Sequence, residues 1–259
     1  MKLLTLVVLL VVSALALPPT RNGRIWNGEN AIPGQQPYMI GILWYEDDDT
    51  VQPLNICGGA IINERWVITA AHCLDNNLTG IGRFEIVVGQ HFVSIENRSG
   101  REQFRNIALE ILHPRFNGGA SSFDIALILL DTPLEFNDFV QPIALPPQSA
   151  RPPQSGRTTE LPIMQHELCR EVYGVLLPGN PLSSTCMCTL MFQGRGNVCN
   201  ADSGGPAVLI QDNGEPMVVG VLAWGLSPCF NPTIPSVWAG IAPSRDWIDE
   251  QMANNQPSL

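Results

Sequence analysis

Apolar residues along this chain come mostly in short uninterrupted runs. Tyr38 to Tyr45, Gly59 to Ile68, Phe84 to Val88, Ile107 to Leu112, Ile125 to Leu130, Pro206 to Ile210 and Met217 to Ala223 are rich in Val, Ile and aromatic residues, and clusters of Gly, Pro, Asn and Asp separate them. Branched and aromatic side chains fit a pleated, half-buried surface, and the punctuating residues supply turns, so each run predicts a strand. Helical spacing stands out once, near the C-terminus. Pro243 and Ser244 offer a start there, and Trp247, Ile248, Gln251 and Met252 then fall on one side. The Pro-rich stretch from Pro142 to Pro153 interrupts the pattern and reads as a linker between two β units. No internal repeat of fixed period is present. The expected architecture is all-β, two antiparallel barrels followed by a late helix.

One apolar run is of another kind. Met1 and Lys2 form a short basic start, Leu3 to Val12 is apolar apart from Thr5, and Ala14-Leu15-Ala16 supplies small residues for cleavage after Ala16. Residues 1–16 therefore read as a signal peptide. The run is shorter than the roughly 20 residues a spanning helix needs, so no membrane anchor is expected. Secretion makes the 7 cysteines disulfide candidates, and their odd number leaves at least one free or paired between molecules. Two glycosylation triplets, Asn77-Leu78-Thr79 and Asn97-Arg98-Ser99, fit the same route. Composition narrows the field further. Hydrophobic residues at 45% and charged residues at 15% favour a packed core over disorder. A net charge of -10 without any Lys/Arg cluster excludes nucleic acid as an expected partner.

Candidate chemistry enters at three separated places. Thr69-Ala70-Ala71-His72-Cys73 follows the apolar Trp66-Val67-Ile68, so His72 is expected where a strand ends in a turn. Alone, a histidine is more often solvated or structural. Phe123-Asp124-Ile125-Ala126-Leu127 sets a carboxylate directly before a continuous apolar strand, a place that buries it, and a buried acid needs a partner. In Asn200-Ala201-Asp202-Ser203-Gly204-Gly205-Pro206 a serine lies within a tight Gly-rich turn, by itself an ordinary hairpin. A serine hydroxyl is a poor nucleophile until a histidine takes its proton, and the imidazolium so formed needs an oriented carboxylate. His72, Asp124 and Ser203 match those three roles.

At these residues the sequence closely resembles the trypsin and chymotrypsin family of serine endopeptidases. The match includes Arg24-Ile25-Trp26-Asn27-Gly28, Cys57-Gly58-Gly59, Thr69-Ala70-Ala71-His72-Cys73, Asp124-Ile125-Ala126-Leu127, Asp202-Ser203-Gly204-Gly205-Pro206, Trp224-Gly225 and Trp247-Ile248. The resemblance implies a chymotrypsin fold of two six-stranded barrels with a C-terminal helix, the first barrel over about 25–130, the second with the helix over about 131–259. It implies peptide-bond hydrolysis through an acyl-enzyme, without a cofactor or metal. His72 is then the general base, Asp124 its orienter and Ser203 the nucleophile, with the backbone N–H groups of Ala201 and Ser203 as the oxyanion hole. A pro-segment over residues 17–24 would be cut after Arg24 by a trypsin-like activating protease, freeing the Ile25 ammonium to pair with Asp202. Implied disulfides are Cys57 with Cys73, Cys169 with Cys188 and Cys199 with Cys229, leaving Cys186. Asn197, Gly225 and Ser236 match the primary substrate pocket. Protein or peptide substrates and protease inhibitors are the implied partners of a secreted monomer, and the short pro-segment without accessory modules points to digestion.

The chain also departs from the family pattern. Ala201 stands where a Gly is usual, and Ala223 where a Ser hydroxyl supports the catalytic carboxylate. Between Pro146 and Leu161 the chain is short and lacks the usual Gly-Trp-Gly turn and a cysteine, so the second barrel is expected to miss its first strand. Asn197 replaces the pocket Asp that attracts Arg and Lys, and Ser236 replaces a Gly and narrows the interior; Leu, Met or Gln side chains are the expected fit. Gln90 replaces an acid of the family's calcium loop, leaving Glu102 as a candidate ligand. Cys186-Met187-Cys188 lacks a second pair or nearby His to complete a metal set. The alternative reading is a non-catalytic homologue that keeps the fold as a binding module.

Overall fold

The structure, a computed structural model, describes residues 30–46, 53–75, 82–92, 98–118, 123–148, 150, 161–178, 182–190, 197–199, 201–225, 231 and 233–256. The expected signal peptide and pro-segment, and the triplet asparagines 77 and 97, lie outside these residues. Among the described residues no helix is long and apolar enough to cross a membrane.

Six strands close on themselves. β1 (Met39–Tyr45), β2 (Leu54–Ile61), β3 (Trp66–Thr69), β4 (Arg83–Val88), β5 (Gln103–Leu112) and β6 (Ala126–Leu130) form an antiparallel barrel in the order β1-β2-β3-β6-β5-β4. Ile42, Ile61, Ile68, Ile86 and Leu127 are fully buried in its core. Closure leaves none of these six strands with an open edge. The run expected as one strand from Gly59 to Ile68 is two. Asn63 Oδ1 accepts from the backbone N–H of Arg65 at 2.9 Å and Trp66 at 2.8 Å, and this side-chain turn separates β2 from β3.

The second unit is a sheet of five antiparallel strands: β7 (Ile163–Met164), β8 (Cys186–Thr189), β9 (Pro206–Ile210), β10 (Pro216–Trp224) and β11 (Ser236–Gly240), in the order β7-β8-β11-β10-β9. Among the described residues β7 and β9 are its edges, and residues 151–160, where a strand was expected to be missing, lie outside them. Four elements were not expected from the pattern: the helix α1 (His166–Leu176) and the strands β7, β8 and β11. Cys169 of α1 is disulfide-bonded to Cys188 of β8, so the helix is stapled to the sheet. The late helix is present as α2 (Arg245–Asn254), entered through a 3-10 turn at Ala242–Ser244, with Ile248 fully buried.

The first described residues of the stretch expected as a linker are tied to both units. Ile143 N–H donates to the Ile61 carbonyl at 2.9 Å, and Ala144 bridges Met217 while its carbonyl accepts from Val218 N–H at 3.0 Å. Val140 and Ile143 are buried in the core that joins the barrel to Val208, Val218 and Ala239 of the sheet. The two units therefore share apolar packing, and a cleft lies where their loops meet.

Candidate active site

β3 ends at Thr69, and Ala70 continues extended into a 3-10 turn over Ala71–Leu74 that carries His72. Ala70 and Ala71 are fully buried, so the turn is anchored while the imidazole stays partly open. Asp124 precedes β6 and is wholly buried. Both of its carboxylate oxygens serve the same residue: Oδ1 accepts the His72 backbone N–H at 2.9 Å, and Oδ2 lies 2.7 Å from His72 Nδ1. That arrangement meets the demand of a buried acid for partners. The other ring nitrogen, His72 Nε2, lies 3.8 Å from Cys73 Sγ.

Ser203 arrives from the sheet. Its carbonyl accepts the Gly58 N–H at 2.7 Å, and Gly58 neighbours Cys57, which is disulfide-bonded to Cys73 beside His72. Thr69 Oγ1 donates to the Gly58 carbonyl at 2.7 Å in a fully buried contact. Gly204 has φ +78°, and a Cβ there would lie 2.3 Å from Thr69 Oγ1 and 2.4 Å from the Gly58 oxygen. Only glycine permits that approach. Gly204 N–H donates to the Leu222 carbonyl and Leu222 N–H to the Gly205 carbonyl, both at 2.9 Å, which docks the serine turn onto β10. The sequence pattern gave Gly58 and Thr69 no part in this; they stood only within motifs that carry the family resemblance.

Within the same turn, the N–H groups of Asp202, Gly204 and Gly205 all reach backbone carbonyls. Those of Ala201 and Ser203 meet no acceptor among the described residues. Ala201 has φ 68°, a left-handed conformation unusual for a residue with a Cβ. Asp202 Oδ2 accepts from Cys199 N–H at 2.7 Å. Asp202 and Ala201 border a cavity of about 410 Å³ that reaches Leu161, Pro206 and Ala207 on one side and Ile40 of β1 on the other. Arg24 and Ile25 lie outside the described residues.

Of the three positions expected to line a substrate pocket, Ser236 adjoins the other two. Ser236 Oγ donates to Asn197 Oδ1 at 3.1 Å, both residues are buried, and a Cβ on Gly225 would come within 3.9 Å of Ser236 Oγ. Asn197 Oδ1 also accepts Val198 N–H at 3.1 Å. From behind, Tyr173 of α1 donates its hydroxyl to the Pro235 carbonyl and packs its ring edge-on to Trp224 at 4.5 Å. Pro235 and Trp224 directly precede Ser236 and Gly225, so α1 braces both walls, a role the sequence pattern did not disclose.

Disulfides join Cys57 to Cys73 and Cys169 to Cys188. Cys199 is disulfide-bonded as well, and Cys229 lies outside the described residues. Cys186 is the free cysteine among the described residues; burial, then the Asp124 charge, push its thiol up to about 12. Among the described residues the one cluster with metal-ligand types is Cys57, His72 and Cys73, whose sulfurs are consumed in a disulfide. Glu102 is turned into its own loop, accepting from Ser99 N–H at 2.8 Å, Ser99 Oγ at 2.9 Å and Gly100 N–H at 2.9 Å.

A family model described as Trypsin matches residues 25–248. Trypsin-2 of Salmo salar is 32% identical over 252 residues, covering 90% of this chain and 97% of the relative. Lectizyme of Glossina austeni is 30% identical over 271 residues, covering 93% and 91%. Serine protease 1 of Rattus norvegicus is 28% identical over 269 residues, covering 96% and 98%.

Proposed function

Because the chain belongs to the trypsin family of serine proteases, and by that membership is a serine endopeptidase acting on protein substrates, we propose that it is the secreted zymogen of a digestive enzyme with His72, Asp124 and Ser203 as its triad. The observation that carries this reading is the double contact of Asp124 with His72, at 2.9 Å and 2.7 Å. With the Nδ1 proton held by the carboxylate, Nε2 is left to take the Ser203 hydroxyl proton as Oγ attacks the scissile carbonyl carbon. The carbonyl oxygen gains the negative charge, and the otherwise unengaged N–H groups of Ala201 and Ser203 are suited to receive it. Collapse breaks the C–N bond, His72 gives its proton to the leaving amine, and water repeats the sequence on the acyl-enzyme.

Activation and specificity follow from the same reading. A trypsin-like protease cuts after Arg24, and the freed Ile25 ammonium enters the cavity beside Asp202. The Asn197 oxygen, already taken by Ser236 and Val198, offers no acceptor to a guanidinium or ammonium, which favours Leu, Met or Gln over Arg and Lys. A serine-directed phosphonate is the direct test. After limited trypsin treatment it should label Ser203, with labelling lost in His72→Ala and absent when Arg24→Gln blocks processing. An unlabelled, correctly processed chain would leave the binding-module reading.

A further inference from the structure

Asp124 stands in a turn whose backbone is unusual on both sides. Phe123, just before it, has φ 64°, a left-handed conformation that a bulky side chain rarely adopts. Ile125 N–H, just after it, donates to the Phe123 carbonyl at 2.8 Å, closing a three-residue turn with Asp124 at the apex. Such a conformation persists only where the surroundings over-determine it.

Those surroundings are a column of rings. The Phe123 side chain is buried and stacks on His113, centroids 4.6 Å apart and planes 20° from parallel. The Arg115 guanidinium carbon lies 3.9 Å from the centroid of the Phe123 ring, over the ring. Behind His113, its ring meets Trp247 of α2 at 4.6 Å and 55°. His113 also grips the turn through the backbone, donating its N–H to the Ile125 carbonyl at 3.0 Å, while its Nδ1 accepts the Arg115 N–H at 3.2 Å. Phe123 is thus held by both an imidazole and a guanidinium, and the residue after Asp124 is tied to the same segment.

We propose that Phe123, held in this clamp by His113, Arg115 and Trp247, is a positioning residue that aims the Asp124 carboxylate at His72. The inference rests on the reading of Asp124 as the orienter of His72. Without the ring column the left-handed residue relaxes, the three-residue turn opens, and the carboxylate loses its simultaneous reach to the His72 backbone N–H and Nδ1. Ground-state substrate binding, which belongs to the pocket of Asn197 and Ser236, is not involved. The loss therefore falls on kcat.

The test uses the activated full chain with Phe123→Leu, which keeps apolar bulk and removes the ring, beside Phe123→Tyr and Asp124→Asn. Phe123→Leu should lower kcat about 10-fold with KM within about twofold, as expected when a reacting group is held loosely. It should also shift or broaden the downfield proton resonance of the His72–Asp124 hydrogen bond. Phe123→Tyr should restore both. If Asp124→Asn leaves kcat intact, the reading of Asp124 itself fails. If Asp124→Asn is crippled while Phe123→Leu keeps wild-type kcat and an unmoved resonance, the clamp alone is overturned. Should Phe123→Leu not fold, the exposed Arg115→Gln carries the decision: about a threefold loss in kcat with the resonance displaced is expected, and an unchanged kcat overturns the proposal.

Discussion

Ala201 holds a backbone conformation that suits glycine, φ 68°, in the turn that presents the proposed oxyanion donors. A left-handed residue with a Cβ costs roughly 1–2 kcal/mol relative to one without. Ala201→Gly is accordingly expected to stabilise the protein by about 1 kcal/mol, visible as a raised calorimetric Tm, and to increase kcat. An unchanged Tm would mean that the turn bears no strain at this position. His113 gives a pH dependence of definite sign. Burial, then the Arg115 charge, lower its pKa from 6.5 to about 4. Between those values the unfolded chain binds the extra proton and the folded chain does not, so stability falls as pH drops from about 6.5 to about 4. Urea midpoints at pH 7 and pH 5 should therefore differ more for the native chain than for His113→Phe, which stacks but does not titrate. Cys186, with its thiol pushed up to about 12 and no exposure, should resist iodoacetamide in the folded protein and react in denaturant. Folded-state alkylation of Cys186 would contradict its burial.

Helix α1 shows how an element escapes sequence reading and still matters to the site. It starts at His166 without a side-chain cap, contains Gly174, and buries only Cys169 and Tyr173. Tertiary attachment through the Cys169–Cys188 disulfide and the Tyr173 hydroxyl supplies what local propensity does not. Similarly, Cys186–Thr189 and Ser236–Gly240 pair with each other without a register shift, although only Thr189, Val237 and Trp238 among them are strong strand formers and neither segment forms a long run. By contrast, the apolar runs that became β1, β4, β6, β9 and β10 were plain in the pattern, because branched and aromatic residues follow one another there with few interruptions. The contact of His72 with Asp124 was foreshadowed by chemistry, a buried carboxylate requiring a partner. The left-handed Phe123 was not, since nothing in a phenylalanine announces a positive φ. The brace made by α1 is testable: Tyr173→Phe leaves the Pro235 carbonyl without its donor and should lower stability by about 1–2 kcal/mol. KM should rise at the same time, because Ser236 follows Pro235. A stability loss with an unaltered KM would confine Tyr173 to a structural role.

At the scale of the whole molecule the closed barrel and the open sheet are unequal partners. The barrel has no edge, whereas β7 and β9 end the sheet among the described residues, β7 following the short 146–161 region, and the cavity of about 410 Å³ beside Asp202 touches both Leu161 and Pro206. Inserting a relative's strand segment before Leu161 should fill that region and raise the fraction of molecules that titrate as active sites, more than Ala201→Gly does; equal titres would show that the short chain is already fully competent. The hydrogen bond from Gly58 to the Ser203 carbonyl has a consequence of its own. The proposed base and its acid ride on one unit and the proposed nucleophile on the other, so turnover is a gauge of whether the two bodies are seated, independent of whether each keeps its shape. Such an enzyme dies by parting before it melts. In a urea series, hydrolysis should vanish at a lower concentration than the far-ultraviolet circular dichroism of the strands, and coincident midpoints would mean the halves let go of each other only when they let go of themselves.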